Sequence, residues 1–419
     1  MKYKVAPIMR PQPTKKRKKG EKMTISDRAK NIKPSQTLAI NAQALKMKKE
    51  GKKVISFAAG EPDFDTPENI RERAISAIRE GFTHYTASSG IIELKEAIVE
   101  KFKKDNEVEY KTSEIIVSNG AKQCLFNAIL ALADPGDEVL LPVPCWVSYT
   151  EQIKLAQATP VFIETNPQDA FKLSAEQVEK KISPRTKLLI LNSPNNPTGT
   201  VYEPEELKKI AQLLLKYNIY CLCDEIYEKL IYDKAKHFTL ASLSNEVKSK
   251  IILVNGVSKS YAMTGWRIGY AAAPEEIISG MSKIQDHSTS NPNSIAQKAS
   301  VEALQGRQDT IEIMRETFDK RRKYMVEKLN EIEGVSCLLP SGAFYAFPDV
   351  RGILDKGIEY KGKKINNSFD LANFILQQAE VALVPGSDFE AEGFLRLSYA
   401  TSLEDIQEGL DRIENILSY

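Results

Sequence analysis

Two hydrophobic periods alternate along most of this chain. Apolar residues three and four apart mark helices. The first begins at Thr66-Pro67, with Ile70, Ala74, Ala77 and Ile78 on one face and Gly81 closing it. Others carry Leu94, Ile98 and Phe102; Leu125, Ala128, Ile129 and Leu132; and Leu207, Ile210, Ala211 and Leu214. Between them lie short apolar runs that read as strands, at 114–117, 138–141, 160–163, 187–191, 219–223, 251–254 and 268–272. Several are apolar throughout, as strands covered on both faces should be. The pattern predicts an α/β fold with a largely parallel sheet over about residues 70–309.

In such sheets ligands gather beyond the carboxyl ends of the strands. Gly120, residues 192–199, Asp224 and Ser258-Lys259 all fall just past a predicted strand. Beyond residue 310 the pattern changes to a charged helix at 312–332, short strands around 335–347 and a last helix after Ser402. We read 310–419 as a smaller α+β domain, joined by residues 24–69, with 70–309 as the large domain.

Composition narrows the class. The chain has 419 residues, 42% hydrophobic and 27% charged, which excludes a disordered chain or a fibre. No apolar run reaches the ~20 residues a bilayer requires. Residues 1–23 hold nine of the 58 Lys and Arg and one of the 56 acids, a net +8; the whole chain is +2, so the remainder is −6. A nucleic-acid-binding body is not supported. The basic, proline-bearing segment 1–23 is expected to be disordered, a solvated extension before Met23 rather than a secretory signal. Five cysteines and three histidines offer no second Cys/His pair for a metal, and Cys221 and Cys223 read as reduced strand residues, as in a cytoplasmic protein.

Three stretches carry candidate chemistry. Lys259 follows an apolar strand into a crevice, where desolvation and neighbouring cations lower a lysine pKa and make a nucleophilic amine. Eight residues on, Arg267 offers a fork suited to phosphate. Asp224 ends a buried strand, where a carboxylate needs a cationic partner. Asn192-Ser193-Pro194-Asn195-Asn196-Pro197-Thr198-Gly199 is a stiff turn that aims Asn196 inward.

Asn195-Asn196-Pro197-Thr198-Gly199, Asp224-Glu225-Ile226-Tyr227, Ser258-Lys259 with Met263-Thr264-Gly265-Trp266-Arg267, and Arg396-Leu397-Ser398-Tyr399 occur in that order. With Gly60-Glu61-Pro62-Asp63 and Pro144-Cys145-Trp146, the chain resembles a class I aminotransferase of the fold-type-I pyridoxal-phosphate enzymes over residues 24–419. It is most similar to the bacterial-type aspartate/prephenate subgroup. The resemblance implies that Lys259 carries the cofactor and moves the proton, and that Asp224 holds the pyridine nitrogen protonated. Tyr227 and Asn196 would bond the ring oxygen and Trp146 would stack on the ring. Gly120, Ala121, Arg267 and a neighbouring subunit's Tyr85 would hold the phosphate, which implies a homodimer. Where many relatives carry a hydroxyl three residues before the lysine, this chain has Gly256.

For the substrate, the resemblance assigns Arg396 and Gly60 to the α-carboxylate, with Trp146 and Asn196 beside it, Lys122 to a second carboxylate, and Thr37 to dicarboxylate or prephenate use. The activity expected is reversible two-stage transfer of the amino group between L-aspartate and 2-oxoglutarate. Prephenate or aromatic transamination is the alternative within the family. A lyase sharing Lys259 and Asp224 fits the paired carboxylate sites less well. A DNA-binding regulator of the same fold would need a helix-turn-helix domain that residues 1–23 are too short to form.

Overall fold

The computed structural model describes residues 25–32, 36–360 and 362–417. The expected basic tail, 1–23, lies outside them. The chain divides into two units between Lys33 and Pro34. In the first, the described helix is Asp27–Asn31, capped by the Ser26 hydroxyl, which accepts from the Ala29 N–H. Everything else belongs to the second unit. Among the described residues no helix is long and apolar enough to cross a membrane.

Seven strands form one sheet: β1 (Ile115–Ser118), β2 (Glu138–Val143), β3 (Thr159–Glu164), β4 (Thr186–Asn192), β5 (Tyr220–Asp224), β6 (Ile251–Gly256) and β7 (Gly269–Ala272). Their order is β1-β7-β6-β5-β4-β2-β3, parallel throughout except that β7 runs against both of its neighbours. All seven lie within two residues of the expected positions. Side chains of a strand alternate between faces, and here the alternation sorts them into two cores. Leu189, Leu191, Cys221, Cys223, Ile251 and Leu253 join one apolar cluster; Leu188, Ile190, Leu222, Ile252 and Val254 join the other. Each such side chain contributes ~1.5–3 kcal/mol by leaving water.

The first expected helix spans Glu68–Arg79 and buries Ile70, Ala74 and Ala77. Ile78, assigned to the same face, is instead 54% exposed. At 100° per residue it falls to the edge of that stripe. A third apolar cluster unites residues 40–58 with 314–417 and with the turn after β5, including Tyr227 and Leu230. Within it Ile55–Ser56 pairs in parallel with Val381–Ala382. An antiparallel sheet is built from β8 (Tyr345–Ala346), β9 (Val384–Pro385) and β10 (Leu395–Ser398), in the order β9-β10-β8. The strands expected across 335–347 reduce to β8 and two isolated bridges, Ser336 to Asp349 and Gly342 to Ile231. Pro340, with no N–H to give a ladder, interrupts that stretch.

The turn after β5 is pinned from behind. His237 Nε2 lies 2.7 Å from Glu225 Oε2. Glu228 is ion-paired with Lys101 and accepts a bond from Asn106 at 2.9 Å. Lys101 also donates to Asn106 at 2.6 Å and has Asp105 at 3.9 Å. This buried group ties the helix Ile92–Asn106 to the sheet. Carboxylate and imidazole atoms of Glu225, Glu228 and His237 lie within 4.8 Å of one another, a spacing a metal could use. Lys101 and Asn106 already occupy Glu228, so the charges are balanced within the protein.

Two predictions follow from this packing. A Cβ on Gly269 would sit 2.1 Å from the Ala121 nitrogen, backbone against backbone, where the helix Ala121–Leu132 starts against β7. Gly269→Ala should therefore destabilise by ~1–3 kcal/mol, read as a lower midpoint in urea unfolding. Burial pushes the His237 imidazole down, but Glu225 and then Glu228 outweigh it and hold its pKa above the usual value. A raised pKa means that this stabilisation is complete below the unfolded value of about 6.5 and fades as pH rises through the folded one. The wild type should lose more stability than His237→Gln between about pH 6 and pH 9. Equal losses would show that the pair contributes nothing to folding.

Candidate active site

The parallel strands β4, β5 and β6 end side by side, and the candidate residues collect there. Asp224, the last residue of β5, is buried. Its Oδ2 accepts from the Tyr149 hydroxyl at 2.7 Å and its Oδ1 from the Ile226 N–H at 3.2 Å. Burial lifts the carboxyl pKa to about 6 despite these bonds; Glu225 pushes it further up and Lys259 pulls it back. Asp224 stays largely ionised at neutral pH, with no ion pair among the described residues.

In the same turn Tyr227 faces the cleft, its hydroxyl 2.9 Å from that of Tyr345. Asp224 and Tyr227 thus serve the cleft while Glu225 and Glu228 serve the charge group behind it. Asn192, ending β4, donates to the Asp224 carbonyl at 2.9 Å and accepts from the Asn196 N–H at 2.8 Å. That pair locks the 192–199 turn to the strand end.

Lys259 follows β6 and is half-buried. Its Nζ donates to the Gly60 carbonyl at 2.5 Å. Burial pushes the amine down to about 8; Glu61 opposes this, Arg396 and Arg267 add to it, and Asp224 opposes. Near neutral pH such an amine is available both with and without its proton.

Arg267 turns at φ 58° and donates to Thr264 O at 2.8 Å and Asn119 O at 3.4 Å. Its guanidinium lies against Gly120, where a Cβ would come within 2.4 Å of Nη2. Gly120, at φ 87°, is also the N-cap of Ala121–Leu132. A helix N-terminus and a guanidinium therefore converge on one small space, a setting for an anion.

Lys122, in the first turn of that helix, holds its Nζ 4.6 Å from the Trp146 ring centre. Burial, then Arg267, keeps its amine below the usual value. Trp146 meets Tyr149 edge to face at 5.4 Å.

Arg396, on β10, is buried. Nη1 donates to Asn196 Oδ1 at 3.1 Å and Nη2 to Ala58 O at 3.0 Å, while Nε has no partner. Tyr345 and Phe389 flank the guanidinium at 4.4 and 5.1 Å.

Two candidates stand apart. Tyr85 is 90% exposed on the loop before the helix Ile92–Asn106. Thr37 lies in the helix Gln36–Lys49, with its side chain outside the described residues. Sequence reasoning missed Tyr149 and Tyr345. Tyr149 could have been suspected, because it lies one helical turn after Trp146 on Val147–Leu155.

Comparison with known proteins agrees with this arrangement. A family profile described as aminotransferase class I and II matches residues 52–413. The chain is 48% identical over 399 residues to the aspartate/prephenate aminotransferase of Nitrosomonas europaea, covering 94% of this chain and all of that one. A crystal structure of the Rhizobium meliloti aspartate aminotransferase superposes with a TM-score of 0.91 at 44% identity, covering 95% of this chain and 99% of that one. A Thermus thermophilus aspartate aminotransferase with maleate gives 0.88 at 41%, over 94% and 100%. A buried acid, a lowered lysine and an anion cradle at the strand ends are what such enzymes need, and the chain belongs to the class I and II aminotransferases, which move amino groups between amino acids and 2-oxo acids with pyridoxal phosphate.

Proposed function

We propose that this aminotransferase exchanges the amino group between L-aspartate and 2-oxoglutarate, giving oxaloacetate and L-glutamate in two half-reactions. The observation that carries the dicarboxylate reading is the placement of Lys122. A cation in the first turn of a helix opposes the helix dipole, yet Lys122 stands there over the Trp146 ring and forms no ion pair among the described residues. With Arg396, whose Nε is unsatisfied, it supplies a cation for each of two carboxylates. The maleate found with the Thermus thermophilus enzyme is likewise a dicarboxylate. Prephenate is the second reading, favoured by the name of the Nitrosomonas relative.

The residues fit pyridoxal phosphate on two counts. Asp224 is an uncompensated buried carboxylate that a protonated ring nitrogen would satisfy. The Arg267 guanidinium packs so closely on Gly120 that a Cβ there would meet Nη2 at 2.4 Å, and this pairing of a guanidinium with the helix N-terminus at Gly120 and Ala121 suits a phosphate held by all three. When bound, the cofactor supplies an electron sink for the substrate carbon.

Asp224 would keep the ring nitrogen protonated, worth ~4 kcal/mol for a pair at ~4 Å and an effective dielectric near 20. Trp146 would cover the ring, and Tyr227 and Asn196 would bond its oxygen. With Asn196 Oδ1 taken by Arg396, its amide nitrogen is the end left to donate. Lys259 Nζ would hold the cofactor and then take and return the substrate proton, as a pKa of about 8 allows. Arg396 and Gly60 would seat the α-carboxylate, with Thr37 on the substrate side.

We further propose a cytoplasmic homodimer in which the exposed Tyr85 serves the phosphate of the neighbouring copy. The chain would be organised as a large domain, 70–309, and a small one drawn from 24–69 and 310–419.

Lys259→Ala should lower turnover by more than ~10²-fold, measured with aspartate and 2-oxoglutarate. Lys122→Ala should raise KM for both dicarboxylates about tenfold, the loss of ~1.4 kcal/mol of binding, and leave alanine as donor nearly unaffected. An equal loss with alanine would contradict the role given to Lys122.

A further inference from the structure

Tyr345, which the sequence reading did not single out, touches two of the candidate-site residues, Tyr227 and Arg396. It lies on β8, opposite Ser398 of β10. Residues two apart share a face of a strand, so Arg396 is its diagonal neighbour, and the ring lies 4.4 Å from the guanidinium. At the other end its hydroxyl is 2.9 Å from that of Tyr227, and a Cβ on Gly60 would approach it to 3.4 Å. The side chain is 1% exposed, so its two ends are fixed by these contacts.

From this geometry we propose that Tyr345 is a positioning residue, joining the arginine for the substrate carboxylate to the tyrosine facing the cofactor ring. The inference rests on the roles given above to Tyr227 and Arg396. Each phenol has one proton. If Tyr227 gives its proton to the ring oxygen, the bond between the two hydroxyls must be donated by Tyr345. A hydroxyl that accepts one bond becomes a better donor of the next. The Arg396 cation, lying over the Tyr345 ring, favours donation from that ring's hydroxyl. The same ring is one of two aromatic walls keeping the guanidinium planar to the cleft, with Phe389 as the other. One residue thus sets both the donor strength of Tyr227 and the aim of Arg396.

The experiment uses the holoenzyme and the pH midpoint of the bound cofactor's absorbance change. Tyr345→Phe removes only the hydroxyl. A weaker donor at Tyr227 leaves negative charge on the ring oxygen less stabilised, so the midpoint should rise by about half a unit, as the loss of one neutral hydrogen bond implies. Because Tyr345 acts through Tyr227, the same substitution in a Tyr227→Phe background should move the midpoint by less than about a third of that shift. No shift in the wild-type background, or equal shifts in both, overturns the proposal. If Tyr227→Phe is itself silent, the role of Tyr227 and the proposal fall together.

The second arm reads the ring. Tyr345→Leu should raise KM for aspartate at least fivefold more than Tyr345→Phe, which retains the wall beneath Arg396. Equal KM values for Phe and Leu would refute that half. Thermal melting of each variant without cofactor identifies any change that is merely loss of fold.

Discussion

A carboxylate held in a dry strand end without a cation is the constraint on which this structure turns. Asp224 receives two hydrogen bonds, from Tyr149 and from the Ile226 N–H, yet burial still lifts its pKa to about 6. Left alone, such a group is a cost to folding. In the proposed role it would become an asset once a protonated ring nitrogen is bound, because the partner would then be met in a low dielectric by an acid already in place. The parallel register that puts Asn192, Asp224 and Val254 in one row, two residues before β6 ends, makes this possible. Lys259 reaches the same cleft from the next strand and carries the complementary shift, an amine pushed down to about 8.

The turn after β5 separates chemistry from stability over five residues. Asp224 and Tyr227 face the cleft. Glu225 and Glu228 face helix Ile92–Asn106 and pair with His237 and Lys101. A turn with only the first pair would be aimed by its own loose backbone. With the second pair buried and balanced, Asp224 and Tyr227 are oriented by groups on the far side of the turn. Breaking a buried pair leaves a charge without a partner, which is why such a clamp resists drift.

Much of the fold was legible because strand residues buried on both faces must be apolar, and short runs such as 188–191 and 251–254, bounded by polar residues, read as such strands. The placement of Asp224 and Lys259 at the ends of strands was legible for the same reason, since the strand ends of a parallel sheet open on one crevice. What escaped were partners set by tertiary distance. Tyr149 meets Asp224 across 75 residues and Tyr345 meets Tyr227 across 118. Either tyrosine, taken alone, reads as ordinary core. Ile78 was misplaced because an edge-of-stripe residue is buried only if a neighbour covers it, and none does. The contact of the Gly60 carbonyl with Lys259, 199 residues away, was likewise not legible in the sequence.

The central claim is that the amine of Lys259 carries the cofactor beside Asp224. Borohydride reduction of the holoenzyme followed by proteolysis and mass mapping tests it most directly. The account predicts the phosphopyridoxyl mass on the peptide containing Lys259 and on no other lysine peptide. A protein that gains no such mass, or gains it on Lys122 or another lysine while Lys259 stays unmodified, would contradict it.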